Sequence, residues 1–157
     1  MFTAFQLLKI FTGFVGSLAF AITFNIRGRR LLFASLGGLI CCIAYELLTF
    51  VYDNEFLRSF IVAIVITLYS ELTARFIKSP TTTFTITSLL PLIPGGALYY
   101  TMSYAFQNDL ENFYSYGLLT LQVAGAIALG IIIASASFQL VVNIINHLCV
   151  KKRSKNE

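Results

Sequence analysis

Charge is scarce in this chain. Lys and Arg number 11 and Asp and Glu 7 among 157 residues, so 11% of the sequence is charged, against roughly 25% in a soluble domain. With 57% of residues hydrophobic and a mean hydropathy of +0.80, too little polar surface exists to cover a water-soluble globule. The composition therefore specifies an integral membrane protein, and the length specifies one domain. Cysteine is also sparse. Cys41, Cys42 and Cys149 lie in or at the edge of apolar runs, give no disulfide framework and read as small packing residues. The single histidine, His147, has no cysteine or carboxylate at metal-ligand spacing, so no metal and no cofactor are expected. No nucleophile, base and orienting group fall together, which speaks against an enzyme. Nothing lines a pore with one sign of charge, as many channels require. The net charge of +4 does not indicate nucleic acid, because the positives cluster at the ends of apolar stretches.

What is present is a series of such stretches. A bilayer crossing needs roughly 20 mostly apolar residues. The chain offers residues 2–25, 31–51, 56–77, 84–106 and 116–141, followed by a helical end with Asn143, Asn146 and His147 and a basic tail at 151–157. The transmembrane domain is thus residues 1–150. The first stretch has no positive region before it and is too long for a secretory leader. Arg27, Arg29 and Arg30, then Arg75 and Lys78, then Lys151, Lys152, Arg153 and Lys155 lie at or after the ends of the odd-numbered stretches. Asp53, Glu55, Asp109 and Glu111 occupy the other side, with Arg58 the only nearby positive. The positive-inside rule then predicts an all-α bundle of five spans, N-terminus outside and C-terminus cytosolic. A competing topology makes 84–106 a re-entrant loop, leaving four spans and an external tail.

Ionisable residues inside these stretches need partners. Glu71 and Arg75 are four apart and share a helix face with Thr67 and Lys78. This stripe reads either as an aqueous path, with Glu71 relaying protons or meeting a charged substrate beside Arg75, or as a structural ion pair near the cytosolic end. Lys9 and Glu46 lie at matching depth on the first two spans, where a structural bridge is the plainer reading. Small residues recur every four positions at Ala34, Gly38 and Cys42 and at Ala126, Gly130 and Ala134, a pattern that lets helices approach closely within or between subunits.

"PLIPGG", residues 91–96, interrupts the fourth span. Each proline removes an N–H and blocks the bond to the carbonyl four residues earlier, at Thr87 for Pro91 and Leu90 for Pro94. Gly95 and Gly96 leave the backbone bare. Such backbone is tolerated at membrane depth only where protein or a water-filled cavity satisfies it. Two half-helices are predicted, the second starting near Gly95 with its N–H groups facing the gap, an arrangement suited to a carboxylate and used in secondary transporters. A simple proline kink is the alternative.

The stretch "KSPTTTFTITSLLPLIPGGALYYTM" (Lys78 to Met102) resembles the P…PxxPG…Y…M region of the threonine/serine exporter family. "FAITFNIRGRR" (Phe20 to Arg30) is similar to the end of the first span in its short membrane-subunit type, a type that includes a subunit associated with succinate export. The resemblance implies that Asn25, Pro91, Pro94, Gly95, Tyr99 and Met102 match family positions, and that a separate larger membrane subunit is the partner. Thr87, Gly96, Glu71 and Arg75 join the expected substrate site from the residue reading alone. The expectation is a multi-pass subunit in a bacterial plasma membrane, surrounded by lipid and with homo-oligomers allowed. It would export small carboxylates, amino acids first. Dicarboxylate export and a non-transporting assembly role remain as alternatives.

Overall fold

The computed structural model describes the backbone of residues 4–153 and side chains from residue 6 to 145. The side chains of His147 and Cys149 and the end of the basic tail fall outside these, as does the start of the first predicted span. The described residues form helices α1 (Ala4–Thr23), α2 (Arg29–Thr49), α3 (Glu55–Ile77), α4 (Thr81–Leu89), α5 (Gly95–Phe106) and α6 (Leu110–Arg153), with a 3₁₀ turn at Leu90–Leu92 between α4 and α5. α1, α2, α3 and α6 are each long and apolar enough to cross a membrane.

Polarity is distributed inside out. Ser17, Ser35, Ser59, Thr67, Ser70, Thr87 and Ser88 are buried, whereas Leu7, Phe11, Phe76, Phe106, Leu121 and Ile132 are exposed. Many of the buried hydroxyls are satisfied within their own helix, as Thr67 donates to the Ala63 carbonyl at 2.7 Å and Thr87 to that of Thr83 at 2.8 Å. An apolar exterior of this extent is stable only in lipid or against a partner. Arg58, the positive that breaks the charge pattern, is neutralised locally. It lies 3.7 Å from Glu55, donates to Thr49 Oγ1 at 3.1 Å and sits over the Tyr45 ring.

Helices approach closely where the small residues fall. α1 runs antiparallel to α2, with Gly13 opposite Cys42 and Gly38 opposite Ser17; a Cβ on either glycine would strike the facing side chain. α3 and α6 run parallel, and a Cβ on Gly130 would sit 2.7 Å from Ala63 Cβ and 2.9 Å from the Phe60 carbonyl oxygen. α4 packs into the groove of α2 and α3, with Ser88 reaching the Ala34 carbonyl and Phe84 buried among Ala21, Ile26, Ala34 and Ala74. α5 packs along α6 instead. Thr101 and Thr120 hydroxyls lie 3.5 Å apart, and Tyr104 stacks on Tyr116. These contacts make α5–α6 an antiparallel hairpin.

Three helix ends share one device. Asn25, Lys78 and Asn108 adopt positive φ (57°, 52° and 55°). The next N–H bonds back five residues: Ile26 to Ala21, Ser79 to Ala74 and Asp109 to Tyr104. This is the Schellman closure. Asp109 then caps α6 by accepting from the Asn112 N–H and side-chain amide. These bonds hold its carboxyl below the usual carboxylate range.

Candidate functional site

The 3₁₀ turn is where the two packing arrangements part. Proline cannot continue α4, so the chain leaves α geometry after Leu89. The turn is anchored by Leu92, which is buried with Leu89 against Cys41, Val62, Ala63 and Ile66. Ile93 N–H closes the turn on the Leu90 carbonyl at 3.2 Å. The expectation that Pro94 leaves this carbonyl free is therefore corrected: the tighter turn uses it. Pro94 then serves as the N-cap of α5.

Cavities flank this junction on two sides. One, of about 420 Å³, lies between α1, α2 and the turn and is lined by Lys9, Thr12, Ser17, Cys42, Tyr45, Glu46 and Pro91. The other, of about 290 Å³, lies between α3, α5 and α6 and is lined by Tyr45, Glu55, Ser59, Pro94, Ala97 and Val123. Pro91, Leu92 and Tyr45 line both, so the turn forms the wall between them. A third cavity, of about 530 Å³, opens where the basic loops gather. Asn25, Arg27, Arg30, Pro80, Thr82, Thr83 and Thr87 line it. Asn25 Oδ1 accepts from Arg27 Nε at 2.9 Å, so the αL asparagine at the end of α1 also positions a guanidinium.

The residues expected to form one site are distributed over several. Asn25 and Thr87 meet in the basic-end cavity. Pro91 and Pro94 meet at the junction. Glu71 and Arg75 do not pair, although they share a face of α3. Glu71 is buried and accepts from Thr81 Oγ1 of α4 at 3.4 Å, while the exposed Arg75 lies over the Phe138 ring of α6 at 4.9 Å. The physical reason is that different helices flank α3 on its two sides, and each takes one of the two charges. Gly95 and Gly96 are exposed, with open space where a Cβ would stand. The Gly95 N–H does not face a gap between half-helices; it bonds the Ile93 carbonyl at 2.7 Å. Tyr99 and Met102 are likewise exposed on α5 and line a shallow groove with Ser103, Phe106 and Gln107.

The Lys9–Glu46 bridge expected from the sequence is present, while Ser17 was not singled out there. Lys9 Nζ lies 3.3 Å from Glu46 Oε1, with the glutamate side chain 8% exposed. Ser17 is fully buried and its hydroxyl has no hydrogen-bond partner. The available signal was two ionisable residues of opposite sign inside apolar runs, which is a functional flag by default. No group of three or more potential metal ligands occurs among the described residues.

Described residues that are helical, with an apolar exterior and four helices long and apolar enough to cross a bilayer, define a membrane-embedded protein. Its sequence carries the comparison further. The family model described as Threonine/Serine exporter, ThrE, matches residues 9–137, and the chain belongs to that family. No curated protein and no solved structure matches it.

Proposed function

We propose that the chain is a membrane subunit of a secondary transporter that exports small amino acids, threonine and serine first, from a bacterial cell across the plasma membrane. In this reading α4 and α5 are the halves of one interrupted fourth span, giving five spans. The end carrying Arg27, Arg29, Arg30, Arg75 and Lys78 is cytosolic, and the end carrying Asp53, Glu55, Asp109 and Glu111 is external. Substrate enters the cavity beside Arg27 and Arg30, where two guanidiniums favour a carboxylate, and leaves through the cavities beside the turn. Glu71, buried against the first turn of α4, is placed to couple a proton to movement of that helix.

The observation that carries this reading is the junction itself. Cavities lie on both sides of one proline turn, in a chain of an exporter family. The test is export from cells with and without the chain, loaded with threonine- or serine-containing dipeptides or with succinate. Chain-dependent efflux of the amino acids, lost in Pro94→Ala, is the expected result. Efflux of succinate alone would move the assignment to dicarboxylates. Undiminished amino-acid efflux in Pro94→Ala with normal folding would remove the turn from the mechanism.

A second reading is favoured by one feature: Gly95, Gly96, Tyr99 and Met102 face outward rather than into a cavity. That face suits a larger membrane subunit of the same family, and in this reading the chain supports assembly. Loss of the partner from purified complexes, with no change in the efflux per complex that remains, would select it.

A further inference from the structure

We propose that Lys9, Glu46 and Ser17 form a subsite for a zwitterionic, hydroxyl-bearing amino acid in the cavity between α1, α2 and the 3₁₀ turn. The assignment rests on the transport reading above and deepens it by naming the groups that read the substrate.

Charge balance carries the first half. The cavity is lined by one cation and one anion, held 3.3 Å apart. An uncompensated charge in low dielectric is costly. A zwitterion can enter between the partners and convert one ion pair into two, its ammonium on Glu46 and its carboxylate on Lys9. Neither protein charge is left alone. A dicarboxylate would bring two negative charges beside Glu46 and one lysine, leaving both Glu46 and one substrate carboxylate without a partner. A ligand with no charge would have to break the pair and give nothing back. The half-exposed Lys9 has a long flexible stem and can swing aside, whereas the buried Glu46 is fixed.

Ser17 carries the second half. It lines the same cavity two helical turns from Lys9, is fully buried, and its hydroxyl is unpartnered. Buried polar groups without partners are rare and costly. The Thr12 hydroxyl in the same wall is already used by the Lys9 carbonyl at 3.0 Å, which leaves Ser17 to meet a ligand. Gly38 faces Ser17 across the close α1–α2 contact, and only a glycine there leaves room for the Ser17 hydroxyl. A side-chain hydroxyl on the substrate can both donate to Ser17 Oγ and accept from it, while a methyl in its place cannot. The volume, about 420 Å³, falls in the range of small-molecule sites, roughly 300–1,000 Å³.

The test uses the full chain in cells, loaded with threonine-, serine- or valine-containing dipeptides or with succinate. Glu46→Gln, which keeps shape and removes charge, should lower threonine efflux at least about tenfold. Ser17→Ala should reduce the preference for threonine over valine by about tenfold. The exchange Lys9→Glu with Glu46→Lys separates a substrate-reading pair from a structural bridge. It should restore the unfolding temperature of the purified chain while leaving threonine efflux impaired. A direct readout comes from Cys42, which lines the cavity. In a Cys149→Ser background, L-threonine should slow its modification by a small methanethiosulfonate, and succinate should not. Restoration of efflux by the charge exchange overturns the assignment, as does wild-type efflux in both single variants, or Cys42 reactivity unchanged by saturating threonine. If the wild-type chain drives no amino-acid efflux at all, the transport reading falls and takes the subsite with it. Wild-type efflux with unaffected variants removes the subsite alone.

Discussion

Single residues set the ends of the helices, and Lys78 shows the cost. Its φ of 52° places an L side chain in the left-handed region, which costs roughly 1–2 kcal/mol without the local bonds that asparagine supplies. Asn25 and Asn108 hold the same conformation with a tolerated residue type. Lys78→Gly should therefore raise stability by about 1 kcal/mol, read from thermal unfolding in detergent, while Lys78→Ala, which keeps a Cβ, should not. Equal gains from both would mean that removal of the charge, not of strain, is responsible. The basic loop at this end is thus kept at a local structural cost. Of the expected site residues, Glu71 and Arg75 show what a sequence leaves unread at this scale. Their spacing places them on one face, but the partner of each is decided by α4 and α6, which approach α3 from different directions. Helical periodicity names a face and is silent about the neighbour.

At the scale of elements, glycines act as spacers, and the sequence shows where but not against what. Gly130 is part of the four-residue repeat with Ala126 and Ala134, and the repeat is seated on α3 at Ala63 and the Phe60 carbonyl. The facing atoms are a Cβ and a backbone carbonyl oxygen, neither of which can rotate away. Gly130→Leu should destabilise the chain by roughly 1–3 kcal/mol through overpacking. Gly125→Leu, where nothing lies within 4 Å, should be neutral. Comparison of the two unfolding temperatures in detergent tests this, and equal effects would remove the α3–α6 contact as the cause. The stop of α4 at Leu89 and the start of α5 at Gly95 are local consequences of Pro91 and Pro94 and were readable from the residues. The packing of α5 was not. Its sequence is apolar around most of its surface, so nothing in its pattern marks the side that meets α6.

At the scale of the whole molecule, the exposed surface divides into areas that lipid satisfies and one that it does not. Phenylalanine and leucine on α1, α3 and α6 suit hydrocarbon. The first turn of α5 does not: Gly95 and Gly96 expose backbone, and no hydrogen bond among the described residues uses the N–H of Gly96 or Ala97. Unsatisfied amides in hydrocarbon cost several kcal/mol each, so this turn calls for a partner or for water. Gly95→Leu and Gly96→Leu meet open space within the chain and should leave the unfolding temperature of the isolated chain unchanged. Under the assembly reading proposed above, they should abolish co-purification with a larger membrane subunit, measured by affinity capture from the source membrane. Co-purification at wild-type yield would place the partner elsewhere.

The length of α6 has a mechanical consequence. At 44 residues it is one continuous beam, held against α3 at Gly130 and against α5 at Thr120. At about 1.5 Å per residue, the ten residues between these points make a lever arm of roughly 15 Å, and a rotation of about 10° about the Gly130 contact would carry Thr120 through roughly 2.6 Å. α5 would travel with it, while α4, seated on α2 and α3, would stay in place. The slack must be taken up at Ile93 and Pro94, the only residues between the 3₁₀ turn and α5. A rotation of this kind would load the junction as a hinge, and the stiffness of α6 would set how far the two sides of the turn could open.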